Sequence, residues 1–356
     1  MRIAELDSLR GLAAVAIVVF HLNPPAFFVG WTGVDLFFVL SGYLITGIIL
    51  RHGGTRGFLA TFYMRRGLRI WPIYYLCLAV LVVVVRRMPN PLSLASLPYY
   101  LTYTQNLPLY LHNDAPSLRP FDHTWTLALE EQFYIVWPAM VLLAGRKRII
   151  PLCLAVIAAS VMAREDGYLA WGHFSERILL ARCDGFALGG LLASILIAGP
   201  SRKIVVGLGL ALAGSVAWIV WGSIASGGAI FFLGMPTPAR PSTTILAVGV
   251  AYFGIVGLVA IGAGSRGLAP LRFAPLAYLG KISYGLYLYH YPIFWVIDGY
   301  DFVTVQPWRV RVAKLAATLA VAVASWHLVE APILRLKDRF GYRSADVDSP
   351  APRVVH

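Results

Sequence analysis

Arg10 and His21 bracket the run RGLAAVAIVVFH, in which every intervening residue is Gly, Ala, Leu, Ile, Val or Phe. Eleven residues of α-helix rise about 16 Å in about three turns, so guanidinium and imidazole share one face, one shallow and one deep. Alone, the histidine reads either as a hydrogen-bonded core residue or as a proton carrier or nucleophile. The arginine reads either as an anchor or as an anion ligand. Their alignment favours chemistry over packing.

Further ionisable groups interrupt apolar stretches. FYMRRGLRIWP, residues 62–72, sets Arg66 and Arg69 at i,i+3; they either anchor a helix or grip phosphate oxygens with their fixed fork of donors. HTWTLALEEQFYIVWP, residues 123–138, carries adjacent carboxylates in an apolar helix, which is expensive in lipid. Thr126, Glu130 and Tyr134 recur at i,i+4 as a polar stripe, while Glu131 points about 100° away toward another partner. The alternative is a buried pair that binds helix to helix. GVDLFFVLSGYL, residues 33–44, places Asp35 at a helix start, where the dipole favours a carboxylate, and Ser41-Gly42 where helices pack closely. ARCDGFALGG holds Arg182 and Asp184, which read as charges paired through neighbours. SYGLYLYHYPIFW puts His290 just before Pro292 and in need of a partner, and WHLVEAP spaces His327 and Glu330 at i,i+3 as a structural pair on one face.

The elements that must position these groups follow from composition. Of 356 residues, 58% are hydrophobic and only 13% charged, whereas soluble domains carry about 25% charged residues. The reading is an all-α, polytopic membrane bundle of about ten transmembrane helices, near 9–25, 32–50, 70–86, 124–143, 149–163, 178–198, 204–222, 245–263, 277–297 and 310–330. With the N-terminus in the cytoplasm, the inside segments hold 19 Lys and Arg and the outside segments 8, which favours both termini cytoplasmic. The same asymmetry makes residues 96–111 an extracytoplasmic or re-entrant element rather than an eleventh span. Residues 1–343 read as one membrane-embedded domain, and 344–356 as a short, polar, disordered tail. The first run ends in Pro24-Pro25 without a small-residue cleavage pattern, so it reads as an uncleaved helix.

Several classes are disfavoured. The net charge of +13 comes from short clusters between apolar runs, as loop cations do, so no nucleic-acid partner is expected. Cys77, Cys153 and Cys183 sit in apolar stretches as packing residues. The histidines do not cluster at ligand spacing, so no metal site is expected. A proton-coupled transporter would also use buried His, Glu and Arg with Pro-broken helices, but the two halves of the chain show no correspondence.

The segments LDSLRGLAAVAIVVFH, GVDLFFVLSGYLI, RRGLRIWP, HTWTLALEEQFYIVWP, KISYGLYLYHYPIF and VEAP, in this order, resemble the acyltransferase 3 family of integral-membrane O-acyltransferases over most of residues 5–332. The resemblance implies an enzyme of the cytoplasmic (inner) membrane. It would move an acetyl or other short acyl group from cytoplasmic acyl-CoA, here acetyl-CoA as co-substrate, to a hydroxyl of an extracytoplasmic glycan or lipid-linked saccharide. Some relatives acylate small molecules such as macrolides. Arg10 and His21 match the family's Arg-x10-His signature, and Arg66 and Arg69 its R-x-x-R element. Glu130 and Glu330 fall on its acidic positions. The implied roles are CoA binding by Arg10, Arg66 and Arg69, and general-base or transient acyl-carrier chemistry by His21, with Glu130 orienting the ring. Asp35, Ser41, Tyr134, Arg182, Asp184, Ser283, Tyr284, His290 and Glu330 support the site, with Ser283 or Tyr284 as an oxyanion donor. Some family members carry an appended extracytoplasmic esterase-like domain. None is expected here, so the bundle would complete the transfer itself or hand on its product. The outer loops at 87–122, 164–177, 223–243 and 298–308 are expected to choose the acceptor.

Overall fold

The computed structural model describes residues 3–88, 92–107, 118–171, 177–225, 227, 242–303 and 306–342. The expected tail at 344–356 and parts of the expected acceptor loops therefore lie outside the described residues. Among those described, every regular element is helical. Helix α1 spans Ala4–Leu22, α2 Gly33–His52, α3 Phe58–Arg86 and the short α4 Leu97–Leu101. Then follow α5 Trp125–Trp171, α6 Leu179–Leu196, α7 Arg202–Ala225 and α8 Ser242–Ile261. Helices α9 Ala274–Ile297 and α10 Trp308–Ser325 lead into a π turn, Trp326–Glu330, and a last short α11, Ala331–Arg335.

Local chemistry sets these limits. Glu5 and Asp7 complement the amino end of α1, and Pro24-Pro25 closes it. Gly57, with φ of 75°, turns the chain into α3 in a conformation that suits glycine. Helix α5 is two helices in series, broken at Gly145 (φ 68°, ψ 170°), beside Arg146-Lys147-Arg148. The break falls between the expected spans 124–143 and 149–163. The second piece continues beyond Ala163, so Arg164 is a buried helical residue rather than a loop cation.

Among the described residues, six helices are long and apolar enough to cross a bilayer: Gly30–His52, Phe58–Arg86, Leu179–Leu196, Arg202–Ala225, Thr243–Ile261 and Trp308–Arg339. Their outer faces carry exposed Val80, Leu210, Ile224 and Val312. Such surface is costly in water and ordinary in lipid. The chain is a multi-pass membrane protein. The segment at 96–107 docks on α3, where Tyr74 and Tyr75 donate to the Tyr100 and Leu101 carbonyls at 2.9 Å each.

Two tight helix pairs organise the interior, α1 against α9 and α2 against α6. In the first, a Cβ on Gly280 would lie 1.9 Å from the Asp7 carbonyl oxygen, and one on Gly11 2.8 Å from the Gly280 nitrogen. In the second, a Cβ on Gly42 would lie 1.9 Å from the Phe186 carbonyl oxygen. Backbones approach this closely only where the side chain is a hydrogen. Phe186 stacks on Phe38 at 4.4 Å and on Phe133 at 4.2 Å, locking α2, α5 and α6 together.

The seam between α1 and α9 has a direct test. Gly280→Ala should destabilise the protein by about 1–3 kcal/mol through overpacking. Gly207→Ala, whose Cβ meets nothing within 4 Å, should stay within about 0.5 kcal/mol. Denaturation in nanodiscs measures both, and equal stability of the two variants would contradict the close seam.

Candidate active site

Helices α1, α2, α3, α5 and α9 enclose an inner chamber of about 50 Å³. Arg10 from α1 and Arg66 and Arg69 from α3 line it, facing Glu130 and Tyr134 from α5 and Ser283 and Tyr284 from α9. The polar stripe of α5 is thus turned inward, with Thr126 on the same wall. Glu130 accepts from Ser41 at 2.9 Å, and the Tyr134 hydroxyl reaches the same Ser41 oxygen at 3.4 Å. Arg66 lies over the Tyr134 ring at 5.5 Å. Three cations face one carboxylate here, and the Arg10 Nε has no hydrogen-bond partner among the described residues. The chamber therefore carries a surplus of positive charge and of donors, which suits an anionic or strongly hydrogen-bond-accepting guest.

Arg10, Arg69 and Tyr284 also line a second, larger cavity of about 620 Å³ at the end of the bundle where α1 begins. This vestibule adds Arg51, Lys281, Arg335 and Lys337, against Asp7, Glu330 and Asp338. Spacing along the chain could not find these four cations, because Arg51, Arg335 and Lys337 read as loop or terminal charges and Lys281 as a lone cation within a span. Lys337 reaches the wall because its segment folds back on α2 and α3. Arg65 donates to the Lys337 and Phe340 carbonyls at 3.0 and 2.5 Å, and the Tyr342 ring stacks on His52 at 4.8 Å.

His21 lies beyond the chamber. Its Nδ1 is 3.0 Å from the Ile17 carbonyl oxygen and 3.2 Å from Nε2 of His290. The partner that His290 requires is therefore His21. His290 Nδ1 lies 2.6 Å from the Tyr287 carbonyl oxygen, and His123 Nε2 lies 3.1 Å from the same oxygen. The His123 Nδ1 is buried without a partner among the described residues. Tyr287 stands between the two regions: it lines the chamber, its hydroxyl donates to the His123 carbonyl at 2.6 Å, and Thr126 lies 2.5 Å from the same hydroxyl. Sequence reading missed His123 and Tyr287. The only signal for Tyr287 was its place three residues before His290, one turn away on the same face.

Other expected groups have partners that spacing did not reveal. Asp35 pairs with Arg182 at 2.7 Å, and Asp184 with Arg164 at 2.7 Å, all of them buried. Glu131 accepts from the Trp71 indole at 2.9 Å. Glu130 is bound to Ser41 rather than to His21. Ser283 donates to its own helix at Gly280 (3.0 Å), so its hydrogen is already engaged, while Tyr284 reaches only the Ile70 carbonyl at 3.4 Å. His327 and Glu330 do not meet: His327 bonds Tyr278 at 3.0 Å, and Glu330 accepts from Ser325 at 3.2 Å. The wide π turn over Trp326–Glu330 changes the angular spacing that an α-helix would have given them. Pro332, which offers no amide hydrogen to the preceding turn, follows directly. Among the described residues, no group of three or more His, Cys, Asp or Glu is disposed to hold a metal ion.

Comparison with known proteins adds an independent line. The sequence profile of the acyltransferase domain family matches residues 3–327. The peptidoglycan O-acetyltransferase OatA of Listeria monocytogenes is 30% identical over 93% of this chain and 56% of its own length. The O-acetyltransferase OatA of Staphylococcus aureus is 28% identical over 92% of this chain and 56% of its own. The chain thus spans little more than half the length of these curated relatives. No solved structure matches it.

The buried ion pairs predict an asymmetric mutational response. Arg182→Met leaves Asp35 as a buried carboxylate without this cation and should destabilise the fold by about 3–5 kcal/mol. Adding Asp35→Leu should recover much of that loss, because the uncompensated charge disappears. Folded yield and thermal midpoint in detergent measure both. A double variant no more stable than Arg182→Met would show that the pair is not the source of the effect.

Proposed function

The chain belongs to the acyltransferase domain family, and we propose that it is a membrane O-acetyltransferase that carries an acetyl group from acyl-CoA to a hydroxyl of a cell-envelope glycan. The observation that carries this reading is the row of cations shared by vestibule and chamber, with His21 lying beyond Tyr287. A cation-lined vestibule shares Arg10, Arg69 and Tyr284 with a chamber of three arginines and one carboxylate, and Tyr287 on the chamber wall connects through His290 to His21. Coenzyme A is a polyanion that cannot cross lipid. Its phosphates suit Arg10, Arg51, Arg69 and Lys281, and its pantetheine arm is long and thin enough for the narrow chamber beyond.

In this reading the chain crosses the inner membrane ten times as one unit over residues 1–343, with both termini and the vestibule in the cytoplasm. The acceptor approaches His21 from the side away from the vestibule. Peptidoglycan is the favoured acceptor, because the Listeria relative is named for it. A macrolide-like acceptor would need a route to His21 of its own.

The chemistry is one acyl transfer. His21 removes the proton of the acceptor hydroxyl, whose oxygen attacks the thioester carbonyl carbon. The carbon–sulfur bond breaks, and the CoA thiolate recovers the proton from His21. Direct transfer is preferred to an acyl-histidine because it needs one attack rather than two. The Tyr284 hydroxyl, only weakly engaged with Ile70, supplies a donor to the developing oxyanion. Glu130 holds Ser41 and balances part of the charge of the three arginines.

Release of CoA thiol from acetyl-CoA, measured in nanodiscs with soluble glycan fragments as acceptor, tests this function. His21→Ala should lower kcat by about 10²–10⁴-fold. Arg51→Ala and Lys281→Ala should each raise the KM for acetyl-CoA by about tenfold with little change in kcat, since each removes a charge-assisted phosphate contact worth about 1.5–3 kcal/mol. Undiminished release by His21→Ala would remove the imidazole from the reaction. Glycan-bound acetate absent from expressing cells would count against the acceptor.

A further inference from the structure

The two imidazoles beyond the chamber, His21 and His290, meet without a carboxylate between them. His290 Nδ1 faces the Tyr287 carbonyl oxygen at 2.6 Å, and His21 Nδ1 faces the Ile17 carbonyl oxygen at 3.0 Å. A carbonyl oxygen only accepts, so each Nδ1 carries a hydrogen. The neutral His290 ring then has its lone pair on Nε2, and that lone pair points at the Nδ1–H of His21 over 3.2 Å. His21 is left with its own lone pair on Nε2.

We propose that His290 is the positioning residue of the transfer site, sharing the Nδ1–H of His21 with the Ile17 carbonyl and so holding His21 in the tautomer and orientation that offer Nε2 to the reacting hydroxyl. This rests on the acyl-transfer reading for what Nε2 does, and not for where the hydrogens lie.

The surroundings keep His290 in this role. Its side chain is fully buried, and its ring is packed against those of His123 at 5.1 Å, Tyr287 at 5.7 Å and Phe294 at 5.8 Å. Turning the ring over would put Cδ2–H against the Tyr287 carbonyl and Cε1–H toward His21, losing both hydrogen bonds. That carbonyl also receives His123, so one oxygen fixes two of the three imidazoles. The third, His21, is braced between His290 at 5.0 Å and Tyr291 at 5.1 Å. When His21 takes a proton on Nε2, its Nδ1–H keeps the same two acceptors, so the ring need not move during the reaction. His290 touches neither substrate; it acts through His21.

The test uses full-length protein in nanodiscs with ¹⁵N-labelled histidine, the signal of His21 being identified by its loss in His21→Gln. Solid-state NMR of the resting wild type should show His21 protonated on Nδ1 and bare on Nε2. His290→Phe, which leaves Nδ1 only the Ile17 carbonyl, should raise the Nε2–H tautomer to a detectable fraction, whereas His290→Gln, whose side-chain oxygen still accepts from Nδ1–H, should keep the single tautomer. In CoA-release assays His290→Phe should lower kcat by about 10²-fold with the KM for acetyl-CoA within about threefold, and His290→Gln should recover to within about tenfold of wild type. A merely structural His290 would lower folded yield and leave the tautomer of surviving molecules unchanged, which overturns the proposal. A wild-type His21 protonated on Nε2 overturns it regardless of any variant, so misfolding of His290→Phe leaves the test intact. The tautomer is read without turnover. A wild type with the expected tautomer and no CoA release would overturn the acyl-transfer reading and retain the pairing.

Discussion

An apolar bundle has little tolerance for unbalanced charge, and that constraint orders the interior of this protein. Three buried cations among the described residues are matched directly: Arg164 with Asp184, Arg182 with Asp35 and Lys314 with Asp298, each at 2.7 Å. The chamber breaks the pattern, with Arg10, Arg66 and Arg69 sharing Glu130. Burying a charge without a counter-charge costs several kcal/mol, so a surplus in a bundle that pairs these three cations points to a guest. A phosphate-bearing or otherwise anionic guest would remove the penalty when it binds. The vestibule continues the same sign outward, which raises the local concentration of an anion before it reaches the chamber.

The second organising feature is the seam of α1 and α9. Helix α1 supplies Arg10 and His21, and α9 supplies Lys281, Tyr284, Tyr287 and His290. Glycines let the two backbones touch near Asp7 and Gly280, while the two histidines meet farther along the same pair. A rise of about 16 Å along α1 separates the charge-binding end from the imidazole. That separation is a property of one rigid helix, so it does not depend on loops. A donor whose anionic head is held at one end would therefore meet the imidazole at a fixed depth.

Much of this could be read from sequence, and what could not has a common cause. Helical periodicity along one segment gave the shared face of Arg10 and His21 and the stripe of Thr126, Glu130 and Tyr134, because both depend only on the pitch of an α-helix. The break at Gly145 also fell between two expected spans. Partners across helices were illegible: nothing in the spacing ties His21 to His290, 269 positions away, or Arg164 to Asp184 on a neighbouring helix. Arg164 was mistaken for a loop residue because its helix runs past the apolar stretch. His327 and Glu330 were assigned to one face because an α pitch was assumed where the chain forms a π turn. The vestibule cations come from α2, α9, α11 and the segment after it, so only folding brings them together.

The choice of a histidine rather than a carboxylate beside His21 fits the same electrostatic economy. A carboxylate would fix the tautomer equally well, as it does in hydrolytic triads, but it would bring a formal charge into the interior of the bundle. An imidazole acceptor orients its neighbour and remains neutral. It does so only if its own hydrogen is spoken for, and the Tyr287 carbonyl takes that hydrogen. The cost is geometric: an imidazole offers one lone pair in one direction, so the ring must be held on every side. The packing of His123, Tyr287 and Phe294 around His290 supplies that restraint. In this pair, aromatic packing stands in for the second charge that a membrane interior accommodates poorly.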